Sequence, residues 1–538
     1  MLNVTAACLN SKYIHFSSAP WCLAAGVREF SKKTVHITVL ESTINSELDS
    51  FAEEIIETAP DVLSFSCYIW NITKTLELCK KIKTETDLVI VLGGPEVAYR
   101  REDVLERYPF VDFVLAGEGE FCFPEFLDAF PTPYNTPGLS YRKDGKIFSN
   151  PEGVYKATPP SPVTDEYLAA LSGRICYIES SRGCPYRCAF CLSGRVSPLR
   201  FFDIEQTKAD IIKLANSGTQ TVKFVDRTFN SSERHANEIL SFIKENYAKA
   251  IPEGVCFHFE IAGDILKEST MQLLKAMPHG AIQLEIGMQS FNEQTLLAIN
   301  RITDTQKLIS NITRLLSFGN MHIHIDLIAG LTGEDVKSFE KSFDTGFALR
   351  AHMLQMGFLK LLHGADMREN SDKYPCEFSS TPPYEVISTP LISKDEMNAL
   401  KKCEDALERL YNSGRFHLTL DYLFKQGFTP FRLFYDFGNA YNGEGDTLED
   451  YALALYDHFK ENLNADILFE KISCDLLCST GTLLPRFKKK DKRYKRIRAQ
   501  FDKNIKIILL KDGIFAVDTD SPRNLFGRLD YKIYEHFQ

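Results

Sequence analysis

The 538-residue sequence has no run of 18 apolar residues, so it predicts no membrane-spanning helix. It has no low-complexity tract and no repeat of fixed period, and what remains is a globular composition, 44% hydrophobic and 25% charged. An excess of positive charge is missing as well. The net charge of −10 argues against a nucleic-acid coat, although it leaves local basic patches open. The opening MLNVTAACLN lacks the basic region of a secretory signal and reads as a first strand. With 14 cysteines, that predicts a reducing cytoplasm, where clustered thiols serve metals or catalysis more often than disulfides. Isolated ones in apolar stretches (Cys67, Cys79, Cys256, Cys403) read as small buried hydrophobes.

A chain of this length exceeds one ordinary core, and its rhythm divides it. Over residues 1–130, β-branched runs at 2–8, 34–40, 62–68, 88–92 and 113–116 alternate with helical patterns such as Ile72, Leu76, Cys79 and Ile82. That alternation predicts a doubly wound parallel sheet with a ligand crevice at the C-terminal ends of its strands. The loops there read KYIHFS, SCYIWN, GGPE and GEGE; Gly93 and Gly94 would let a large ligand approach the backbone, or simply make a turn. Residues 131–172 read as a connector, with seven prolines between Pro131 and Pro162 and a hairpin turn at Asp144-Gly145. Residues 173–375 repeat a βα rhythm, with strands predicted at 175–180, 221–226, 255–262, 282–287, 322–328 and 354–361. Six units fit an open or partial barrel, whose chemistry sits at the strands' C-terminal ends. Residues 376–538 read as mainly helical. Ser393 and Glu396 form a capping box, Gly414 is a stop, and the tail returns to strand-like runs at 505–510 and 513–517.

Directly after the first barrel strand comes SRGCPYRCAFCLSG, residues 181–194. Structural zinc wants four protein ligands, and no fourth follows Cys184, Cys188 and Cys191 locally. A disulfide does not suit the compartment, and Pro185 and Arg187 do not suit core filling. Three thiolates at this spacing can hold three corners of a 4Fe–4S cube and leave one iron open to a ligand.

C-x-x-x-C-x-x-C with Phe190 before its last cysteine, at the end of a barrel strand, resembles the radical S-adenosylmethionine enzymes. The resemblance implies that S-adenosylmethionine chelates the open iron and is cleaved reductively to methionine and a 5′-deoxyadenosyl radical. It further implies Asp226 as acceptor for the methionyl amine, although Arg227 stands where many relatives have a second acid. Glu260, Gln289 and Ser290 would meet the ribose or methionine moiety, Arg301 the carboxylate, and Gly330 would let adenine lie close. With GGPE and GEGE in a preceding α/β domain, the layout resembles the cobalamin-binding members of that family: a Rossmann-like domain, a (β/α)6 TIM-like partial barrel and a helical C-terminal region. Cobalamin would then lie between the domains, with Ser64, Ser66, Gly93, Gly94 and Gly117 lining the crevice. His15 stands in the loop where other cobalamin domains place a lower cobalt ligand, so it either ligates cobalt or bonds the backbone.

The implied chemistry is methyl transfer to an unactivated carbon of a small molecule or peptide, or ring formation or rearrangement without net methylation. An external flavodoxin- or ferredoxin-type protein would supply electrons. A methylthiotransferase would carry three further cluster cysteines in its first domain, and the spacing of Cys8, Cys22, Cys67, Cys79 and Cys122 does not match. An RNA-binding protein would rest on FKKKDKRYKRIR, residues 487–498, which in an acidic chain reads rather as a solvated charged linker or helix face. A cobalamin sensor without catalysis would have no need of the cysteine triad.

Overall fold

A computed structural model describes the chain apart from residues 196–197, 442, 444–446, 489–490, 526 and 536–538. The first unit is a seven-stranded sheet in the order β2-β1-β3-β4-β5-β6-β7. Its strands are β1 (Leu2–Asn10), β2 (Val35–Thr43), β3 (Val62–Ser66), β4 (Val89–Gly93), β5 (Phe113–Leu115), β6 (Leu139–Lys143) and β7 (Lys146–Ser149). The first five are parallel, and the order reverses at β1, which pairs with both β2 and β3. That reversal opens a crevice at the strands' C-terminal ends. The Asp144-Gly145 turn does join a hairpin, but β6 pairs antiparallel with β5, so the sheet runs on into the segment read as connector.

The second unit is built on β8 (Cys176–Ile178), the two-residue pair β9 (Ser181–Arg182) and β10 (Arg200–Phe201), and then β11 (Thr221–Phe224), β12 (Cys256–Ile261), β13 (Ile282–Gln289), β14 (His322–Ala329) and β15 (Met353–Phe358). Six of these form one parallel sheet, β15-β14-β13-β12-β11-β8, the expected partial barrel. Period-two alternation divides its faces. Ile282, Leu284, Ile286 and Met288 of β13 are buried in the outer core, while Gln283, Glu285, Gly287 and Gln289 alternate with them. Glu285 in turn meets Lys223 at 3.1 Å and His258 at 2.9 Å. This alternate face is therefore polar, unlike the apolar interior of a closed barrel.

An unclosed barrel leaves two strand edges with bare N–H and C=O groups. At β8 the first unit supplies the partner: Ile175 N–H donates to Ile14 O at 2.9 Å, and Phe16 N–H to Ile175 O at 3.4 Å. At β15 a side chain does the work of a strand. Leu354 N–H donates to Asn412 Oδ1 at 3.0 Å, and Asn412 Nδ2 donates back to Leu354 O at 2.8 Å. Asn412 ends a π-helical turn, Glu408–Asn412, that follows the helix Lys394–Leu407.

The C-terminal region begins with the short pair β16 (Glu377–Phe378) and β17 (Val386–Ser388). Helices follow, and then an antiparallel sheet of β18 (Ile505–Leu510), β19 (Gly513–Asp518) and β20 (Tyr531–Tyr534). Its helices share one continuous core with the barrel, where Phe343 and Phe347 meet Phe431 and Phe434. Among the described residues no helix is long and apolar enough to cross a membrane.

Candidate functional site

Three adjoining cavities run from the first sheet to the barrel mouth. The first, about 260 Å³, occupies the crevice and is lined by Ser64, Ser66, Gly93, Gly94 and Gly117, the five crevice residues expected from sequence. Gly94 has φ +99°, and a Cβ there would lie 2.6 Å from Cys67 O, so this loop needs glycine. Tyr68 forms a further part of the wall, with its ring stacked on Trp70 at 4.4 Å.

The third cavity, about 220 Å³, lies at the barrel mouth and collects Cys184, Cys188, Cys191, Glu260, Gln289 and Arg301. The cysteine loop is pinned on both sides, by Ala189 N–H to Ile299 O at 2.9 Å and Met367 N–H to Ala189 O at 3.0 Å. It also closes on itself, since a Cβ on Gly194 would lie 2.4 Å from Tyr186 O. All three thiols are free. Burial pushes the Cys188 thiol up, and the Arg301 guanidinium, whose Nη1 donates to Cys188 Sγ at 3.7 Å, pulls it back. Ser193 N–H donates to Cys191 Sγ at 3.4 Å, and Cys184 Sγ lies 3.3 Å from Thr228 Oγ1. Among the described residues no three His, Cys, Asp or Glu side chains close into a set that could hold one metal ion. The thiols instead line the wall of a void. Three sulfurs facing one cavity, N–H donors aimed at two of them, and an Arg301 Nε buried without a partner fit an anionic iron–sulfur cluster.

Glu260 sits across this cavity, its carboxyl raised by burial and lowered by Arg227, whose Nη1 is 3.6 Å away. Gln289 adopts φ +69° where β13 slips register against β14, which turns the strand end into the cavity. Sequence reasoning missed Asp326 and Glu285, which also line it; their period-two spacing from Ile328 and Gly287 was the available signal.

The structure places four of the expected residues away from these cavities. Asp226 is not at the cavity: fully buried, its carboxylate accepts from Ser180 N at 2.9 Å and from the Ser180 and Ser181 hydroxyls at 2.6 Å each. Burial pushes it up to about 6 despite these donors, and it anchors the turn before the cysteines. Ser290 is buried and donates to Glu334 Oε1 at 2.7 Å. The space over Gly330, φ +86°, is filled by the C-terminal region, where a Cβ would lie 2.8 Å from Val386 Cγ1. His15 belongs to the barrel edge: its Nδ1 is hydrogen-bonded to Tyr177 OH at 2.7 Å, and it stands outside the crevice lining.

Between the two lies a cavity of about 630 Å³, walled by Tyr68, Tyr99, Glu118, Tyr155, Arg200 and Val225 among others. It shares Gly94, Gly117 and Arg182 with the crevice and Ser193 and Arg227 with the thiol cavity.

Comparison with known proteins gives three successive matches along the chain. Residues 4–127 match the B12 binding domain, 178–345 the Radical SAM superfamily, and 372–525 a protein family of unknown function, DUF4080. The chain is 29% identical over 317 residues to 2-(S-pantetheinyl)-carbapenam-3-carboxylate methyltransferase of Streptantibioticus cattleyicolor, covering 52% of this chain and 44% of that one. It is 27% identical over 314 residues to the cobalamin-dependent radical SAM methyltransferase TokK of Streptomyces tokunonensis, covering 54% and 45%. The match thus spans less than half the length of either relative. Its fold is similar to that of the cobalamin-dependent S-adenosylmethionine radical enzyme OxsB with aqua-cobalamin bound, with a TM-score of 0.63 over 93% of this chain and 84% of that one at 14% identity. The chain thus carries a B12-binding domain, a radical S-adenosylmethionine domain and a DUF4080 region, in that order.

Proposed function

We propose that the chain is a cobalamin-dependent radical S-adenosylmethionine methyltransferase acting on an unactivated carbon of a small molecule or peptide. The observation that carries this reading is the continuity of the three cavities, which share wall residues from Ser64 at one end to Cys188 at the other. Together the bound groups would supply a low-potential electron, a hydrogen-abstracting radical and a methyl carrier.

The protein's part is to hold and shield. Cys184, Cys188 and Cys191 grip the cluster, and the N–H groups of Ser193 and Arg301 temper charge on the sulfurs. Glu260, Gln289 and Arg301, with Asp326 and Arg227, face S-adenosylmethionine. Ser64, Ser66, Gly93, Gly94 and Gly117 face cobalamin without side-chain bulk. The middle cavity receives the substrate, so that reacting groups meet without diffusing apart. An external flavodoxin- or ferredoxin-type donor delivers the electrons.

Anaerobic reconstitution tests the reading. About four irons per chain are expected for a single cluster, and a second cluster would double that figure. The holoprotein should retain hydroxocobalamin, release 5′-deoxyadenosine with dithionite, and pass label from methyl-labelled S-adenosylmethionine to a compound in a cell extract. Cys188→Ala should stop the cleavage. Cleavage that persists in a folded Cys188→Ala protein, or a folded wild type that takes up no cobalamin, overturns the proposal.

A further inference from the structure

The crevice and the cysteine loop meet at one guanidinium. Arg182 lies two residues before Cys184, in β9, and its ladder partner in β10 is Arg200. Two like charges opposite each other repel unless anions arrive from elsewhere. Here two come from the first unit, 62 and 64 residues back in sequence. Glu118 Oε2 lies 2.6 Å from Arg182 Nη1 and 2.6 Å from Arg200 Nη2, and Glu120 Oε1 lies 2.8 Å from Arg182 Nη2. Glu179, three residues before Arg182, closes the fork at 2.6 Å.

This group is largely out of water, with the Glu120 side chain 8% and the Arg182 side chain 17% exposed. Forked charge-assisted bonds are strong there and exacting in direction. Glu120 is held from behind too. The helix Ala19–Phe30 presses so close that a Cβ on Gly26 would lie 2.1 Å from Glu120 O. Glu120 and Arg182 both wall the crevice and the middle cavity, so the fork stands where the crevice opens towards the barrel.

We propose that Arg182 is a positioning residue which, by clamping the N-terminus of the helix Gly119–Ala129 to the cysteine loop, sets the separation between cobalamin in the crevice and the cluster in the barrel. This rests on the function proposed above. A lysine would keep the charge but reach one carboxylate at a time. A displacement of ~1 Å between reacting groups can cost on the order of 10²-fold in rate.

The test uses full-length holoprotein reconstituted with iron, sulfide and hydroxocobalamin, as wild type, Arg182→Lys and Arg182→Met. The cobalt and the cluster are both poised paramagnetic, and the relaxation of the cob(II)alamin EPR signal by the cluster is measured. The ratio of S-adenosylhomocysteine to 5′-deoxyadenosine and the thermal midpoint are recorded alongside. Expected are near-wild-type iron and cobalamin contents, weakened relaxation, and a product ratio shifted by about 10-fold or more. Wild-type relaxation and product ratio with only a lowered thermal midpoint overturn the proposal and leave Arg182 a buttress of the fold. Should the Arg182 variants lose cobalamin, Glu118→Gln removes one arm of the clamp and is judged by the same two readouts. A wild type lacking either paramagnetic signal refutes the proposed function, not the clamp.

Discussion

Ser290, just past the C-terminal end of β13, donates to Glu334 Oε1 at 2.7 Å, and the other carboxyl oxygen, Oε2, is buried without a partner. Burial pushes the Glu334 carboxyl up to about 7, against the pull of the Ser290 and Ser342 hydroxyls. The folded state therefore keeps this proton over a range where the unfolded chain, at the ordinary 4.5, has lost it. Stability contributed here is fully present below pH 4.5 and falls as pH rises towards about 7. The span corresponds to ~3 kcal/mol. Glu334→Gln should flatten that slope in urea melts taken across the window; an unchanged slope would place the titration elsewhere.

The amide of Asn412 closes the β15 edge with two hydrogen bonds to Leu354. Asn412→Leu keeps the volume and strands a backbone donor and acceptor. A loss of about 1–3 kcal/mol is expected from the chemical-denaturation midpoint. Asn412→Asp, which can accept from Leu354 N–H but cannot donate to Leu354 O, should also destabilise the protein.

Asp475 is fully buried, taking N–H bonds from Leu418 at 3.0 Å and Thr419 at 2.7 Å, and Arg528 Nη2 at 2.7 Å. It thereby caps the helix His417–Lys425 from the far end of the chain. Arg528→Met leaves the carboxylate without its counter-charge, and about 3–5 kcal/mol should be lost in thermal or urea unfolding. Asp475→Asn in the same background should recover part of it, because the uncompensated charge is then gone.

Gly94→Ala tests the crevice loop. Its Cβ would lie 2.6 Å from a backbone oxygen at φ +99°, so the loop must move. At least tenfold weaker hydroxocobalamin retention is expected, by absorbance after gel filtration. Gly145→Ala, also at positive φ but with nothing within 4 Å, should retain cobalamin as the wild type does.

Local pattern made much of this molecule legible. The six barrel strands were recognisable because each is a short strand-like run between helical patterns, and the cysteine trio because its spacing is local. The crevice glycines were recognisable for the same reason. What sequence could not supply was the partner across space. Asp226 lies two residues past the end of β11, and the Ser180–Ser181 turn, 45 residues before it for Ser181, takes its carboxylate. Gly330 holds its place, but Val386 fills the room above it. His15 reads as a metal ligand or a loop residue, and in the structure its loop lies along the uncovered edge of β8. Arg182 was visible in SRGC and its partners in GEGE; no periodicity connects them. In the basic run at 487–498, Arg493 pairs with Asp491 at 2.8 Å, Arg486 just before it pairs with Asp450 at 2.7 Å, and residues 489 and 490 lie outside the described residues.

The borrowed edges of the barrel bear on ancestry. Since β8 leans on residues 14–16 and β15 on Asn412, neither flank can be shed or exchanged without baring main-chain amides. A barrel that lost or exchanged either flank in descent would need its own substitute for each missing rung.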